Sequence, residues 1–330
     1  HEITTVNTNK QPIITPKPLN YGQQIAFDSK ILGKSQVMNI YLPENFEQSS
    51  PHHTYPVIFI SDYHGTRFFH TLTGIVKHLS DVNRMPNSIV VSLNDTHAPE
   101  IYVNGMWSGV ETNGVWAGME KFDKYGQPDL YIRHLREEIF LFLKENYRAN
   151  DHRTIIGVSG SAVFPLNAFV QDSQIFNNYL FLASSDMIGM GLKKGNTFID
   201  AMAQSLINGP GRREFLYFAD ADSDFVYKHA PPQQSLKKLN NLQKLKDELA
   251  VYKNNDLTLT IETIANESHY GAFIKAMRSA FEHMYPGELW ATELLDLIKQ
   301  PGDAMVNIDN FYHDLSAKYG FEILPKVKSL

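Results

Sequence analysis

The length and composition of the chain exclude several classes of protein. Its 330 residues are enough for one large or two smaller domains, and 43% are hydrophobic against 20% charged, which is typical of a globular protein rather than a disordered or fibrous one. A formal net charge of −6 does not provide the basic surface that binds nucleic acid, so we expect no nucleic-acid partner. The absence of cysteine excludes disulfides, a cysteine nucleophile and thiolate metal sites.

The sequence contains no predicted membrane segment. No apolar run is long enough to span a bilayer, and we expect no membrane insertion. The first ten residues are polar and lack the apolar region of a signal peptide, although the chain begins with His1 rather than methionine. We therefore expect a cytoplasmic protein, or a periplasmic one if a signal peptide was removed before His1. Pro16 and Pro18 favour an extended N-terminal leader over residues 1–28.

Short apolar runs alternate with helical patterns along the rest of the chain. Several of these runs are continuously apolar, which is typical of strands covered by helices on both faces. The alternation predicts an α/β fold with a doubly wound, mostly parallel sheet, preceded by an antiparallel edge over Gln24–Leu42. The predicted strands are Val37–Leu42, Val57–Ile60, Ile89–Leu93, Thr154–Val158, Tyr179–Ala183, Phe215–Ala219 and Leu257–Ile264.

Apolar residues at helical spacing predict the main helices. Asp129 is expected to cap one helix, whose inner face carries Leu135, Ile139, Phe142 and Leu143. A second helix has an apolar stripe formed by Leu236, Leu239, Leu242, Leu245, Leu249 and Tyr252. Two short patterns near the end, Leu289–Ile298 and Ile308–Tyr319, predict an appended helical pair. We therefore divide the chain into the leader, one domain over residues 29–286, and a C-terminal helical extension over residues 287–330.

The strand Thr154–Val158 ends in a motif typical of a nucleophile elbow. Gly157, Ser159 and Ser161 follow the pattern glycine, any residue, serine, any residue, small residue, and a helical pattern begins directly afterwards. The turn between strand and helix is so tight that the residues two before and two after the serine must be small. The motif predicts that Ser159 is a nucleophile, and the alternative is that it only caps the helix.

A serine nucleophile needs a base and an acid. In nucleophile-elbow enzymes they follow in the order serine, acid, histidine. Of 13 histidines, His269 follows the last predicted strand, at the sheet edge to which the elbow serine also points. Asp220, Asp222 and Asp224 follow the strand before it, and a carboxylate there would complete a catalytic triad. We favour Asp224, with Asp222 next, because Asp220 lies too close to the end of the strand.

The same aspartates raise the alternative of a calcium-binding loop. Their spacing matches the start of an EF-hand, but Phe225 stands where that loop requires glycine, and Pro231 where it requires glutamate. The sequence also lacks the HExxH spacing of a metalloprotease, a phosphate-binding loop and a dinucleotide fingerprint. We therefore expect neither a metal nor a cofactor.

An oxyanion needs two N–H donors aimed at the developing negative charge. One is usually the residue after the nucleophile, here Gly160. The other comes from the loop after an earlier strand, and Tyr63, which follows Val57–Ile60, is our candidate. The alternative is that Tyr63 belongs to an ordinary connection between a strand and a helix.

These motifs resemble those of the Putative esterase family of α/β hydrolases, which includes esterase D and the enterochelin- and salmochelin-type siderophore esterases. The likeness extends from about Ser29 to Pro325. Besides the elbow, it is carried by the strand Tyr55–Asp62, the histidine loop Asn266–Gly271 and the tail Phe311–Phe321. At the elbow, Ser161 and the next residue, alanine, replace a Gly-Gly pair of the family.

The resemblance implies an α/β-hydrolase fold and a serine carboxylic-ester hydrolase that acts through an acyl-enzyme on a small or siderophore-like ester. It implies that Ser159 is the nucleophile, His269 the base, and Gly160 and Tyr63 the oxyanion donors. Two alternatives remain: an acyltransferase with the same chemistry, and a catalytically silent binding protein, which the irregular Ser161 favours. The sequence does not predict the oligomeric state.

The segment Asn94–Pro128 is the expected substrate pocket. It has little periodicity, and long irregular segments inside a compact domain are usually functional or mobile. Its large apolar side chains could contact the acyl or alcohol part of a small-molecule ester, or could instead plug the segment onto the core. The residues expected to bind substrate are Tyr102, Met106, Trp107 and Trp116.

Overall fold

A central sheet organises the protein. The computed structural model describes residues 16–20, 22–61, 63–93, 126–171, 174–193, 196–208, 215–225, 232–250 and 257–326. In these ranges the strands are β1 (Gly22–Ser29), β2 (Lys34–Tyr41), β3 (Tyr55–Ser61), β4 (Ile89–Leu93), β5 (Ala149–Val158), β6 (Asn178–Leu182), β7 (Gly191–Lys193), β8 (Asn196–Thr197), β9 (Phe215–Ala221) and β10 (Thr258–Ile264).

Eight of these strands form one mixed sheet in the order β1-β2-β4-β3-β5-β6-β9-β10, and β7 and β8 form a separate hairpin. β1 pairs antiparallel with β2, and β2 with β4, whereas all later neighbours are parallel. The predicted mostly parallel sheet with helices on both faces is confirmed, and the fold is that of an α/β hydrolase. β1 begins at Gly22, so the sheet already includes part of the segment assigned to the leader; the division into domains stays a prediction.

Helices connect the strands and cover the sheet. Their bounds are α1 (Tyr63–Asp81), α2 (Pro128–His134), α3 (Phe140–Tyr147), α4 (Val163–Gln171), α5 (Phe198–Asn208), α6 (Pro232–Ala250), α7 (Phe273–Met284), α8 (Gly287–Trp290), α9 (Leu294–Ile298) and α10 (Ala304–Tyr319). A π-helical turn, Leu135–Ile139, joins α2 to α3. In the part of the chain that the structure describes, no helix is both long and apolar enough to cross a membrane.

The sheet is buried on both faces, which explains its continuously apolar strands. Successive side chains of a strand point to opposite faces. On β5, Ile155 therefore packs into one buried cluster and Ile156 into another. Helices α2 to α6 contribute to the first cluster, and α1, α7, α8 and α10 to the second.

The structure corrects the predicted start of the helix at Asp129. α2 begins at Pro128 with Gln127 as its N-cap, and Asp129 lies within the first turn. Proline suits this position because its φ is already helical and it has no N–H to leave unpaired. The predicted inner face is buried at Leu135, Ile139 and Leu143, while Phe142 is half-buried.

The predicted apolar stripe of α6 is also partly wrong. Leu242, Leu245 and Leu249 are buried, but Leu236 and Leu239 are 57% and 46% exposed. The residue one turn before Leu242 on the buried face is Lys238, which is only 6% exposed. Tyr252, the last residue of the predicted stripe, lies outside the described residues.

The described part of the C-terminal extension contains two short helices, α8 and α9, and the longer α10, where the sequence predicted a pair. Glu293 is extended and caps α9, which divides the predicted segment Leu289–Ile298 between α8 and α9. Trp290 Nε1 donates to the Tyr319 hydroxyl at 3.0 Å, and that hydroxyl donates to the Met284 carbonyl at 2.9 Å. The extension therefore packs against the end of α7.

The topology brings three connections to one edge of the sheet. β5, β9 and β10 run parallel within one half of the sheet, so their carboxyl ends meet at the same edge. Crevices at this edge are the usual ligand sites of open α/β sheets. The segments that follow these three strands carry Ser159, Asp224 and His269.

Candidate active site

Ser159 occupies a strained turn between a strand and a helix. β5 ends at Val158, a 3₁₀ turn covers Ser159–Ala162, and α4 follows. Ser159 has a φ of +49°, in the left-handed region that residues with a Cβ rarely adopt. Such strain costs on the order of 1–3 kcal/mol and is found mainly at functional sites. The predicted local geometry of an elbow is therefore present.

Two neighbours explain how the turn closes. A Cβ on Gly157 would lie 2.7 Å from the Ala162 Cα atom, so only glycine fits where the strand passes the start of the helix. Ser161, at the position where glycine is usual, is fully buried, and its hydroxyl exchanges hydrogen bonds of 2.9 Å with the N–H and carbonyl of Val158. Its carbonyl accepts a bond from Ser61 Oγ at 3.1 Å, which ties the elbow to the end of β3.

His269 stands between Ser159 and Asp224. Its Nε2 atom lies 3.2 Å from Ser159 Oγ, and its Nδ1 atom lies 2.7 Å from Asp224 Oδ1. The His269 side chain is 29% exposed, whereas that of Asp224 is 1% exposed. An imidazole held in this way can accept a proton from the serine while the buried carboxylate fixes its orientation.

The three aspartates after β9 occupy different environments. Of the three, Asp224 alone contacts His269; it is the residue that we favoured as the acid, and that role stays a prediction. The Asp222 carboxylate accepts hydrogen bonds from the N–H groups of Asn266 and Glu267, at 2.7 and 3.1 Å. These bonds lower the pKa of Asp222 and fasten the loop that carries His269. Asp222 is thus an anchor of the loop and not a partner of the imidazole.

A group of buried charges behind Asp224 was not predicted. Asp220 is 2% exposed and accepts a bond from Ser185 Oγ at 2.9 Å. Burial and the nearby charge of Asp224 raise the pKa of Asp220 to about 6. Lys238 reaches the same region, with Nζ 3.7 Å from Asp224 Oδ1 and 3.6 Å from Asp186 Oδ2. The one signal in the sequence was a lysine in phase with the buried leucines of α6.

The predicted oxyanion donors stand at the beginning of two helical segments. Gly160 lies in the 3₁₀ turn that leads into α4, and Tyr63 is the first residue of α1. The first N–H groups of a helix have no partner within the helix and suit an anion.

The predicted substrate-binding residues Tyr102, Met106, Trp107 and Trp116 lie outside the described residues. Among residues the structure does describe, no group of three or more histidine, aspartate or glutamate side chains is placed to hold a metal ion.

Comparisons with known proteins agree with this fold. An IroE-like serine hydrolase from Shewanella oneidensis has a TM-score of 0.72 at 18% identity, with 92% of this chain and 90% of that one covered. The siderophore hydrolase EstB from Aspergillus nidulans has a TM-score of 0.63 at 13% identity, with 82% of this chain and 98% of that one covered. An enterobactin hydrolase, IroE, in complex with DFP has a TM-score of 0.54 at 16% identity, with 82% of this chain and 97% of that one covered. At such identities the likeness shows the fold alone. No curated protein sequence matches the chain.

A family model carries the comparison further. The model described as Putative esterase matches residues 29–256, which is more than half of the 330 residues. This range includes β2 to β6, the elbow and the aspartates after β9, and it ends before β10. The protein therefore belongs to the Putative esterase family, and its chemistry is in general terms that of an ester hydrolase.

Proposed function

We propose that the protein is a serine esterase that hydrolyses a small or siderophore-like carboxylic ester through an acyl-enzyme. The observation that carries this proposal is the chain of contacts from Ser159 Oγ through His269 to Asp224, at 3.2 and 2.7 Å. Family membership supports ester hydrolysis. The names of the siderophore and enterobactin hydrolases with this fold motivate the substrate class.

The first half of the reaction forms the acyl-enzyme. Ser159 Oγ attacks the ester carbonyl while His269 Nε2 takes the hydroxyl proton, and Asp224 stabilises the resulting imidazolium. The N–H groups of Gly160 and Tyr63 hold the oxyanion of the tetrahedral intermediate. When the intermediate collapses, the bond to the alcohol oxygen breaks, and the proton on Nε2 passes to the leaving alcohol.

The second half releases the acid. His269 removes a proton from water, and the hydroxide adds to the acyl carbon. The new intermediate expels Ser159, which recovers its proton from the imidazolium. An alcohol in place of water would transfer the acyl group instead, so product analysis with a competing alcohol distinguishes the esterase from an acyltransferase.

Two measurements on matched serine variants test the proposal. Ser159→Ala should abolish hydrolysis of short p-nitrophenyl esters, to below about 1% of wild type, and should prevent covalent labelling by a fluorophosphonate. Ser35→Ala, an exposed position on β2, should retain both activities. Hydrolysis that survives in Ser159→Ala would refute the assigned nucleophile.

A folded wild-type protein that neither reacts with the probe nor hydrolyses esters would favour a silent binding protein. The feature that motivated this alternative was Ser161. Its hydroxyl is accommodated inside the elbow by bonds to Val158, with Ser159 still 3.2 Å from His269.

Hydrolysis of a catecholate trilactone, compared with that of a simple aryl ester, tests the substrate class. A higher kcat/KM for the trilactone would support a siderophore-like substrate.

A further inference from the structure

Helix α6 has a buried lysine on the face that otherwise carries buried leucines. Lys238 lies on the same face as Leu242, Leu245 and Leu249, and its side chain is 8% exposed. Lysine is rarely buried to this extent unless it is paired with an anion. The ammonium group must therefore compensate charges in the interior.

Those charges belong to the active site. Lys238 Nζ lies 3.7 Å from Asp224 Oδ1, the oxygen that contacts His269, and 3.6 Å from Asp186 Oδ2. The second oxygen of Asp224 is buried and has no hydrogen-bond partner among the described residues. A buried carboxylate that lacks full hydrogen bonding needs a nearby opposite charge, since its desolvation costs several kcal/mol.

Further ionisable groups surround Asp224 and Lys238. Asp220 and Asp186 approach Asp224 and Lys238 from the ends of β9 and β6, and His269 approaches from the loop after β10. Burial raises the pKa of Asp186, and Lys238 opposes that rise, with a smaller contribution from the exposed Lys237. Three carboxyl groups thus share the charge of one buried ammonium.

We propose that Lys238 is a positioning residue of the active site, whose buried side chain compensates the charge of Asp224 and so holds in place the carboxylate that orients His269. This inference rests on the proposed function. Without the cation, the buried charge of Asp224 would lose its compensation, and the contact that orients His269 Nδ1 would weaken. Because the ionisable groups of this cluster interact, the acid limb of the pH profile reports on the group as a whole.

The proposal predicts opposite changes in the pH profile for two variants. Lys238→Met removes the cation, so the acid limb of the kcat/KM profile should move up by about one pH unit or more. At a pH on the acid limb, kcat should therefore fall by up to about tenfold while KM changes less than about twofold, since Lys238 is buried. Asp186→Asn removes a negative charge instead, so its acid limb should move down.

Two further variants serve as controls. Lys238→Arg keeps the cation and should restore the acid limb toward wild type. Lys246→Met makes the same change two turns further along the exposed side of α6 and should leave the profile unchanged. A residue with a purely structural role would alter thermal stability without moving the acid limb in opposite directions in Lys238→Met and Asp186→Asn.

The outcome separates this inference from the proposed function. If Ser159→Ala is inactive but Lys238→Met keeps the wild-type kcat and acid limb, only the role of Lys238 is refuted. If Ser159→Ala remains active, the proposed nucleophile itself is wrong. Should Lys238→Met fail to fold, Lys238→Arg and Asp186→Asn decide, and an unmoved acid limb in Asp186→Asn would overturn the proposal.

Discussion

Replacing Gly157 with alanine tests the geometry of the elbow. The added Cβ would lie 2.7 Å from the Ala162 Cα, 3.2 Å from the Ser161 carbonyl oxygen and 3.3 Å from the Ala162 Cβ. The closest of these atoms belongs to the backbone, so no flexible side chain can turn away. The end of β5 and the 3₁₀ turn Ser159–Ala162 must therefore move apart.

The size of the effect follows from these distances. Favourable contact between carbon atoms begins near 3.5 Å, so the backbone must move by about 0.8 Å. Overpacking of a buried site in this way costs about 1–3 kcal/mol of folding free energy. A displacement approaching 1 Å between Ser159 Oγ and His269 Nε2 would lower kcat about 100-fold.

Urea unfolding followed by circular dichroism measures the first effect, and hydrolysis of p-nitrophenyl butyrate measures the second. Gly74→Ala is the matched control, because no atom lies within 4 Å of a Cβ built on this exposed residue of α1. We expect it to keep full activity and to gain up to about 1 kcal/mol of stability. Wild-type kcat and urea midpoint in Gly157→Ala would refute the close approach of strand and helix.

Two further predictions concern carboxylates that anchor loops. Asp222→Ala should lower kcat about tenfold at little cost in stability, because the His269 loop loses two hydrogen bonds near the surface; unchanged kcat would show that the loop is held without them. Glu138 is held at a pKa of about 2 because hydrogen bonds from Ser29, His134 and two backbone N–H groups outweigh burial. Since this pKa lies below its ordinary value of 4.5, the carboxylate adds stability above about pH 4.5 that is lost as the pH falls through about 2. Glu138→Gln should thus lower the free energy of unfolding by about 2 kcal/mol at pH 7, and the difference should shrink in acid; a constant difference from pH 7 to pH 2.5 would contradict the assignment.

Local patterns were sufficient to predict the sheet and the elbow. The strand Ile89–Leu93 was predicted with its observed bounds, and the remaining sheet strands differ mainly at their ends. Continuous apolar runs are informative because both faces of these strands are buried. The elbow around Ser159 was predictable for a different local reason, because the small residues that the turn requires are neighbours in the sequence.

Other features depend on contacts between distant segments. Asp222 and Asp224 are two residues apart and chemically identical, but only Asp224 contacts His269, because the path of the chain after β9 sends the two side chains to different neighbours. The cap expected at Asp129, by contrast, was wrong for a local reason, because the neighbouring Pro128 occupies the first position of α2.

The sequence by itself determined the order of strands and helices, the strained turn at Ser159 and the residue types available for catalysis, because each depends on neighbours within a few positions. Only the tertiary structure decided which aspartate contacts the imidazole and that α6 presents Lys238 to the interior. These choices depend on how the sheet edge and a helix are packed against each other. Packing acts between segments that the chain order does not bring together.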